Sequence, residues 1–260
     1  MNRRLALFPI VVVAVLSLVF VACAPPPPAA PALTDPKEIL AKGVTSLAEV
    51  KTFEFTGSFT GLVKVPQMGD FDLSTVKMAG AIDVGNRNLK FSLDAPTILG
   101  TKIDALVVDN VAYYRISGML GNLAGGTPGK YTRTDVPAPT SSSDPVAAAT
   151  DITKAVAGLQ AALAKLPSPP TKAADETCGD QDCYHVTIKL SAADLRAIDS
   201  TVSLDGDLGF DVWTRKSDNR PAKLSFSVAS VEMGTFGMVL DVKYDIAVSV
   251  AAPPADEIAP

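Results

Sequence analysis

Apolar and polar residues alternate through long stretches of this chain. Phe53, Phe55, Gly57, Phe59, Gly61, Val63 and Val65 are interleaved with Glu54, Thr56, Ser58, Thr60 and Lys64. The same period of two runs through Val76, Met78, Gly80, Ile82 and Val84, and again through Leu89, Phe91 and Leu93. Ile103–Val108 and Val111–Ile116 flank Asp109-Asn110, a tight-turn pair. Later come Tyr184–Leu190, Leu208–Trp213, Lys223–Val228, and a last run from Phe236 to Val250 with Asp241, Lys243, Asp245 and Ser249 on its other side. Period two with polar partners predicts antiparallel strands that keep one face wet.

Helical spacing occurs in fewer places. Asp35-Pro36-Lys37-Glu38 has a capping residue, a proline suited to the first turn, and a glutamate placed for a capping box. Ile39, Leu40, Val44, Leu47 and Val50 then fall near one face. Asp144-Pro145 opens a second helix, which Ile152, Val156, Leu159, Leu163 and Leu166 continue and Pro167 stops. A short helix is predicted from Ser191 to about Ile198.

The strand lengths carry the fold prediction. Strands usually run about five or six residues, and Phe53–Val65 and Phe236–Val250 are twice that or more. A broad sheet of long strands twists and curls, and Gly57, Gly61 and Gly80 lie inside strands, where glycine marks a bend or a close approach. With two substantial helices to cover one large apolar face, the expectation is an α+β fold. A large, strongly curved antiparallel sheet, a half-barrel, wraps a few helices and leaves a hydrophobic cavity. A fully packed interior is the alternative that the pattern leaves open. The cavity candidates are Phe55, Phe59, Val76, Met78, Ile82, Phe91, Leu224, Phe226, Met238 and Leu240. Met78 and Met238 would give the wall adaptable side chains.

The ends change the picture. Arg3-Arg4 precede an apolar run from Leu5 to Ala22, the pattern of a secretory signal. Ala22-Cys23 closes that run and resembles a bacterial lipobox, although Phe20 stands where Leu is usual. The resemblance implies cleavage after residue 22 and a lipid on Cys23. An uncleaved anchor is the other reading, since about 18 apolar residues could just span a bilayer. Either way the rest of the chain is expected outside the cytoplasm, lipid-anchored to the cell membrane on the first reading. Residues 23–35 carry the tract APPPPAAPALTD after the cysteine, which extends as a semi-rigid spacer. Residues 36–250 form the expected domain, and residues 251–260 (AAPPADEIAP) are expected to be loose.

Cysteine arithmetic leaves Cys178 and Cys183 once Cys23 is assigned to lipid. Outside the cytoplasm that pair is expected to form a disulfide at a hairpin tip. No metal or other cofactor is expected, because His185 is the one histidine in the chain and too few ligands surround the cysteines. A net charge of −5 without a basic patch argues against nucleic acid. No G-x-S-x-G, phosphate loop or carboxylate–histidine cluster is present, so an enzyme is not expected. Strand alternation places His185 toward solvent and Trp213 on the face opposite Phe210 and Val212.

The order of these elements resembles the LppX/LprG-type bacterial lipoproteins. It runs from the lipobox, proline-rich linker, helix and strands to the segment Asp109–Tyr114, then Gly129-Lys130-Tyr131, Tyr184-His185-Val186, the Ser-Ala-Ala-Asp-Leu helix and Val212-Trp213-Thr214. The resemblance covers roughly Pro36 to Val250 and implies a half-barrel similar in shape to the LolA and LolB carriers. It also implies an acylated lipid or glycolipid as ligand, carriage across the envelope, and an envelope transporter as a partner. The competing expectation is a structural or sensory surface lipoprotein with a packed core and a protein partner.

Overall fold

The computed structural model describes residues 32–65, 69–123, 127–135, 152–198, 206–230 and 234–260. The signal segment, Cys23 and the start of the helix expected at Asp144-Pro145 lie outside the described residues. No helix among the described residues is long and apolar enough to cross a membrane.

Helix α1 spans Pro36–Ser46 and is followed by a 3-10 turn at Leu47–Glu49. The strands are β1 (Thr52–Val65), β2 (Gly69–Asp72), β3 (Lys77–Asp83), β4 (Asn88–Ala95), β5 (Thr101–Val108), β6 (Val111–Ser117) and β7 (Thr132–Asp135). They continue as β8 (Thr171–Lys172), β9 (Glu176–Cys178), β10 (Gln181–Leu190), β11 (Leu208–Arg215), β12 (Pro221–Ser230) and β13 (Gly234–Tyr244). Helices α2 (Met119–Leu123), α3 (Ile152–Ala164) and α4 (Ala192–Ile198) complete the elements used below.

All strands join one curved, open antiparallel sheet, ordered β7-β6-β5-β4-β3-β1-β13-β12-β11-β10-β8, with β2 paired to β1 and β9 to β10. Two meanders, β3 to β7 and β10 to β13, meet at β1. That strand pairs with β3 through Thr52–Ser58 and with β13 through Phe53–Gly61, then leaves to pair with β2. The change of partner falls at Gly61, whose φ of 100° is open to glycine and strained for other residues. A Cβ there would also run into the backbone of Thr235.

Helix α1 begins as its sequence predicts, with Asp35 accepting the Lys37 N–H at 2.9 Å and proline in the first turn. Glu38 does not close a capping box. It pairs instead with Lys42, one turn on, at 2.9 Å. Ile39 and Leu40 are buried against Tyr184, Val186, Ile188 and Leu190 of β10, with Leu208, Phe210 and Val212 of β11 packed around them. This is the principal core, and it defines an inner, helix-bearing face of the sheet.

Two expectations are corrected at the chain's end. The last strand stops at Tyr244, because Asp245 takes a left-handed φ of 54°, rather than continuing to Val250. The residues beyond it are not loose. Thr52 Oγ1 donates to the Ile246 carbonyl, and Val250 and Ile258 pack against Leu106, Tyr113 and Tyr131 on the opposite, outer face. Ile258 forms a parallel bridge with Tyr131, and Arg115 pairs with both Asp104 (2.9 Å) and Glu257 (3.5 Å). The segment is a strap across the outer face. Its alternating burial mimics a strand in sequence because a strap lying on a sheet also turns every second residue inward.

Candidate functional site

The register determines which side chains share the inner face, because directly paired residues point the same way. One row runs Val186–Val212–Leu224–Leu240–Gly57–Met78–Leu93–Ile103–Ile116 across β10, β11, β12, β13, β1, β3, β4, β5 and β6. A neighbouring row runs Val242–Phe55–Gly80–Phe91–Ala105–Tyr114. Phe59 pairs with Met238, which pairs with Phe226, and Ile82 lies between Phe53 and Leu89. Nine of the ten cavity candidates therefore occupy one continuous face. Val76 is the exception. It is buried in the turn before β3, outside any strand, because β3 begins one residue later than the alternation suggested.

From β1 to β6 that face carries no charge. From Tyr184–Leu190 of β10 to Ala112, Tyr114 and Ile116 of β6, its rows hold aliphatic and aromatic residues, glycine, alanine and a few hydroxyls. Acids and bases of the same strands, such as Glu54, Lys90, Asp104, Arg115, Asp211 and Lys243, turn outward. Charge meets the inner face at its ends, where Lys172 and Lys216 lie by the Tyr184 ring and Arg215 and Arg220 by that of Tyr244. Its two halves differ in cover. Under α1, the β10 side chains are 0–7 % exposed. Beyond β13, Phe55, Met78, Phe91, Leu93, Ile103 and Ile116 are only half-buried, and Tyr114 is 42 % exposed.

The in-strand glycines serve close approach. A Cβ at Gly80 would meet the Phe55 ring, and one at Gly57 would lie 2.8 Å from the Met78 methyl. Phe55 and Met78 thus lie over glycines, flattened against the sheet, and leave the space above them free of their bulk. Phe210, Phe226 and Phe236 form a further aromatic group with ring centroids 5.2–5.3 Å apart. Phe210, Phe236, Leu93, Ile103, Tyr114 and Ile116 were not among the candidates, although their alternation in the sequence marks them equally.

The outer face holds a polar cluster that sequence alternation alone does not reveal. His185 is not solvent-facing; its side chain is 13 % exposed. It stacks on Trp213 at 4.3 Å, with Glu176 3.1 Å from Nδ1 and Asp211 2.9 Å from Nε2. Trp213 donates its indole N–H to Glu176 at 3.0 Å, and Lys223 lies 4.4 Å from the ring centroid. Trp213 accordingly packs beneath this cluster, on the face opposite Phe210 and Val212. The Trp213 hydrogen bond, aided by His185, holds the Glu176 carboxyl below its ordinary pKa. Both imidazole nitrogens are taken up by carboxylates, which leaves no ring atom directed at a substrate. Glu176 reaches the cluster from β9, which is joined to β10 by the Cys178–Cys183 disulfide. Among the described residues no group of three or more His, Cys, Asp or Glu could hold a metal ion.

No protein-family model matches this chain, and no curated protein matches it. Among solved structures it is similar to LprF from Mycobacterium bovis, with 12 % identity and a TM-score of 0.53, covering 84 % of this chain and 96 % of that one. It is also similar to the lipoprotein LppX of Mycobacterium tuberculosis, with 9 % identity and a TM-score of 0.51, covering 83 % and 98 %. At such identities the likeness is one of fold. The curved sheet expected from the resemblance is the fold these proteins share with this chain.

Proposed function

We propose that this chain is an extracytoplasmic lipoprotein, lipid-anchored to the membrane through Cys23, that holds an acylated lipid or glycolipid on the inner face of its sheet and carries it through the envelope without chemical change. The observation that carries the reading is the uncharged, half-covered inner face from β1 to β6. Its residues offer apolar area and, apart from the Tyr114 hydroxyl, no ionisable side chain. Burying an acyl chain gains roughly 0.8 kcal/mol per methylene, so affinity requires no polar motif. A fold held in common with LppX, itself a lipoprotein, is consistent with this reading. So are the signal-like start and the proline-rich spacer, which would tether the domain to the membrane. An envelope transporter would supply or receive the lipid.

The test is transfer of a fluorescent acylated lipid between donor and acceptor vesicles. The full chain should accelerate transfer in proportion to its concentration and leave the lipid intact. No acceleration, together with no retention of an acyl probe by folded protein, would favour a structural or sensory lipoprotein instead.

A further inference from the structure

Helix α3 is unusual for a surface helix. From Ala155 to Ala164 it carries no charged residue. A helix so largely apolar is ordinarily buried, yet of the α3 side chains described only Val156 is buried, Leu163 is half-buried, and Leu159 is 47 % exposed. The helix packs against α1 and the 3-10 turn after it, with Gln160 bonded to Thr45 at 3.4 Å. Between the two helices runs a slot of about 360 Å³, lined by Leu40, Ala41, Leu163, Leu166 and Pro170, with Lys37 at its border. Leu40, Leu163 and Leu166 also belong to the core over β10, so the slot is floored by the layer that covers the inner face.

Charge identifies what this face suits. The whole chain has a net charge of −5, but from Ile152 to Ala174 it holds Lys154, Lys165 and Lys172 and no acid, Lys172 being paired with Asp175 just beyond. Lys37 and Lys165 have no ion pair among the described residues. An apolar helix bracketed by lysines, beside a slot bordered by a lysine, has the chemistry of a segment that lies in the interface of an anionic bilayer. There, apolar side chains enter the acyl boundary and lysine stems reach up to the phosphates.

We infer that α3, with the α1–α3 slot beside it, is the face by which this domain docks on an anionic lipid bilayer. The docking is separate from ligand capture on the inner face and stands without it. Where both hold, the seam between α1 and α3 is the part of the protein nearest the lipid to be loaded.

Leu159→Trp, made in the full chain and bound to vesicles, tests the docking. Trp213 lies on the opposite face beneath His185 and Lys223 and is the internal control, being the one tryptophan of the native sequence. In vesicles of phosphatidylglycerol and brominated phosphatidylcholine, the added emission should be lost relative to unbrominated lipid, while the emission of the native protein should persist. Each of Lys37→Gln and Lys165→Gln should lower the docked fraction's equilibrium about five-fold, the effect of roughly one lysine at an anionic surface. Raising salt should restore the emission. Ala162→Trp, at another exposed position of α3, replaces Leu159→Trp if that variant does not fold. Three results would overturn the inference: emission equal in brominated and plain lipid; quenching that salt does not relieve, which marks captured lipid; or a blue shift without quenching in a chain that sediments as a dimer, which marks a second copy over α3. Vesicle-to-vesicle transfer that survives such a result would leave the inner-face reading intact.

Discussion

Ala105→Trp asks the inner face whether it holds an acyl chain. Ala105 lies on β5 between Phe91 and Tyr114, on the half-covered side of the sheet and away from α1. Ala105 is half-buried and Tyr114 is 42 % exposed, so an indole has room to enter the interior without displacing a packed core. If it excludes about three methylenes of a bound chain, at roughly 0.8 kcal/mol each, the loss is about 2.4 kcal/mol, or roughly a sixty-fold weaker Kd. The assay is titration of a fluorescent acyl probe, with a urea midpoint measured alongside to establish that the variant is folded. Lys90→Trp is the control. It adds the same ring one residue from Phe91 but on the outer face, and should leave the Kd within about two-fold. A folded Ala105→Trp protein with unchanged affinity, or an equal loss from Lys90→Trp, would refute the reasoning. Gly80 is a poorer place for such a block, since any side chain there meets the Phe55 ring before it reaches the interior.

Three further outcomes are expected. Cys23→Ser should abolish the acyl mass and accumulate precursor, which intact-mass measurement of envelope protein will read. Thr214 is fully buried with its hydroxyl unpartnered, facing Gly43 of α1, so Thr214→Val should stabilise the fold by about 1 kcal/mol in urea titration; a loss of that size would mean the hydroxyl has a partner. The folded-state pKa of Glu176 is depressed, so its contribution is present above the ordinary carboxyl value and lost as pH falls through the folded one. Glu176→Gln should therefore lower the urea midpoint and alter Trp213 emission near about pH 7, with the difference from the native protein shrinking toward about pH 3.

Much of the fold was legible because the strands obey one rule. Alternation placed Phe55, Phe91, Phe226 and Leu240 on a common face without knowledge of their partners, and the register joined them. The cap at Asp35 was legible for the same reason, being local. What was not legible depended on segments that return from a distance. His185 reads as solvent-facing from alternation, yet Glu176 and Asp211 enclose it, and the position of Glu176 depends on β9 pairing with β10. The strap from Ile246 to Ile258 reads as strand and then tail, since nothing local foretells that Arg115 and Tyr131 will hold it. Val76 was misplaced by a single residue at a strand start, where alternation continues into the turn that precedes β3.

The central claim is that the inner face from β1 to β6 is occupied by lipid in the cell. Its most direct test is native mass spectrometry of the full chain isolated from the envelope without organic solvent, followed by lipid extraction. The expected result is an adduct in addition to any acyl mass on Cys23, identified as an intact acylated lipid or glycolipid and depleted in Ala105→Trp. A protein that carries no extractable lipid in its native state, and gains none from vesicles of envelope lipid, would contradict it.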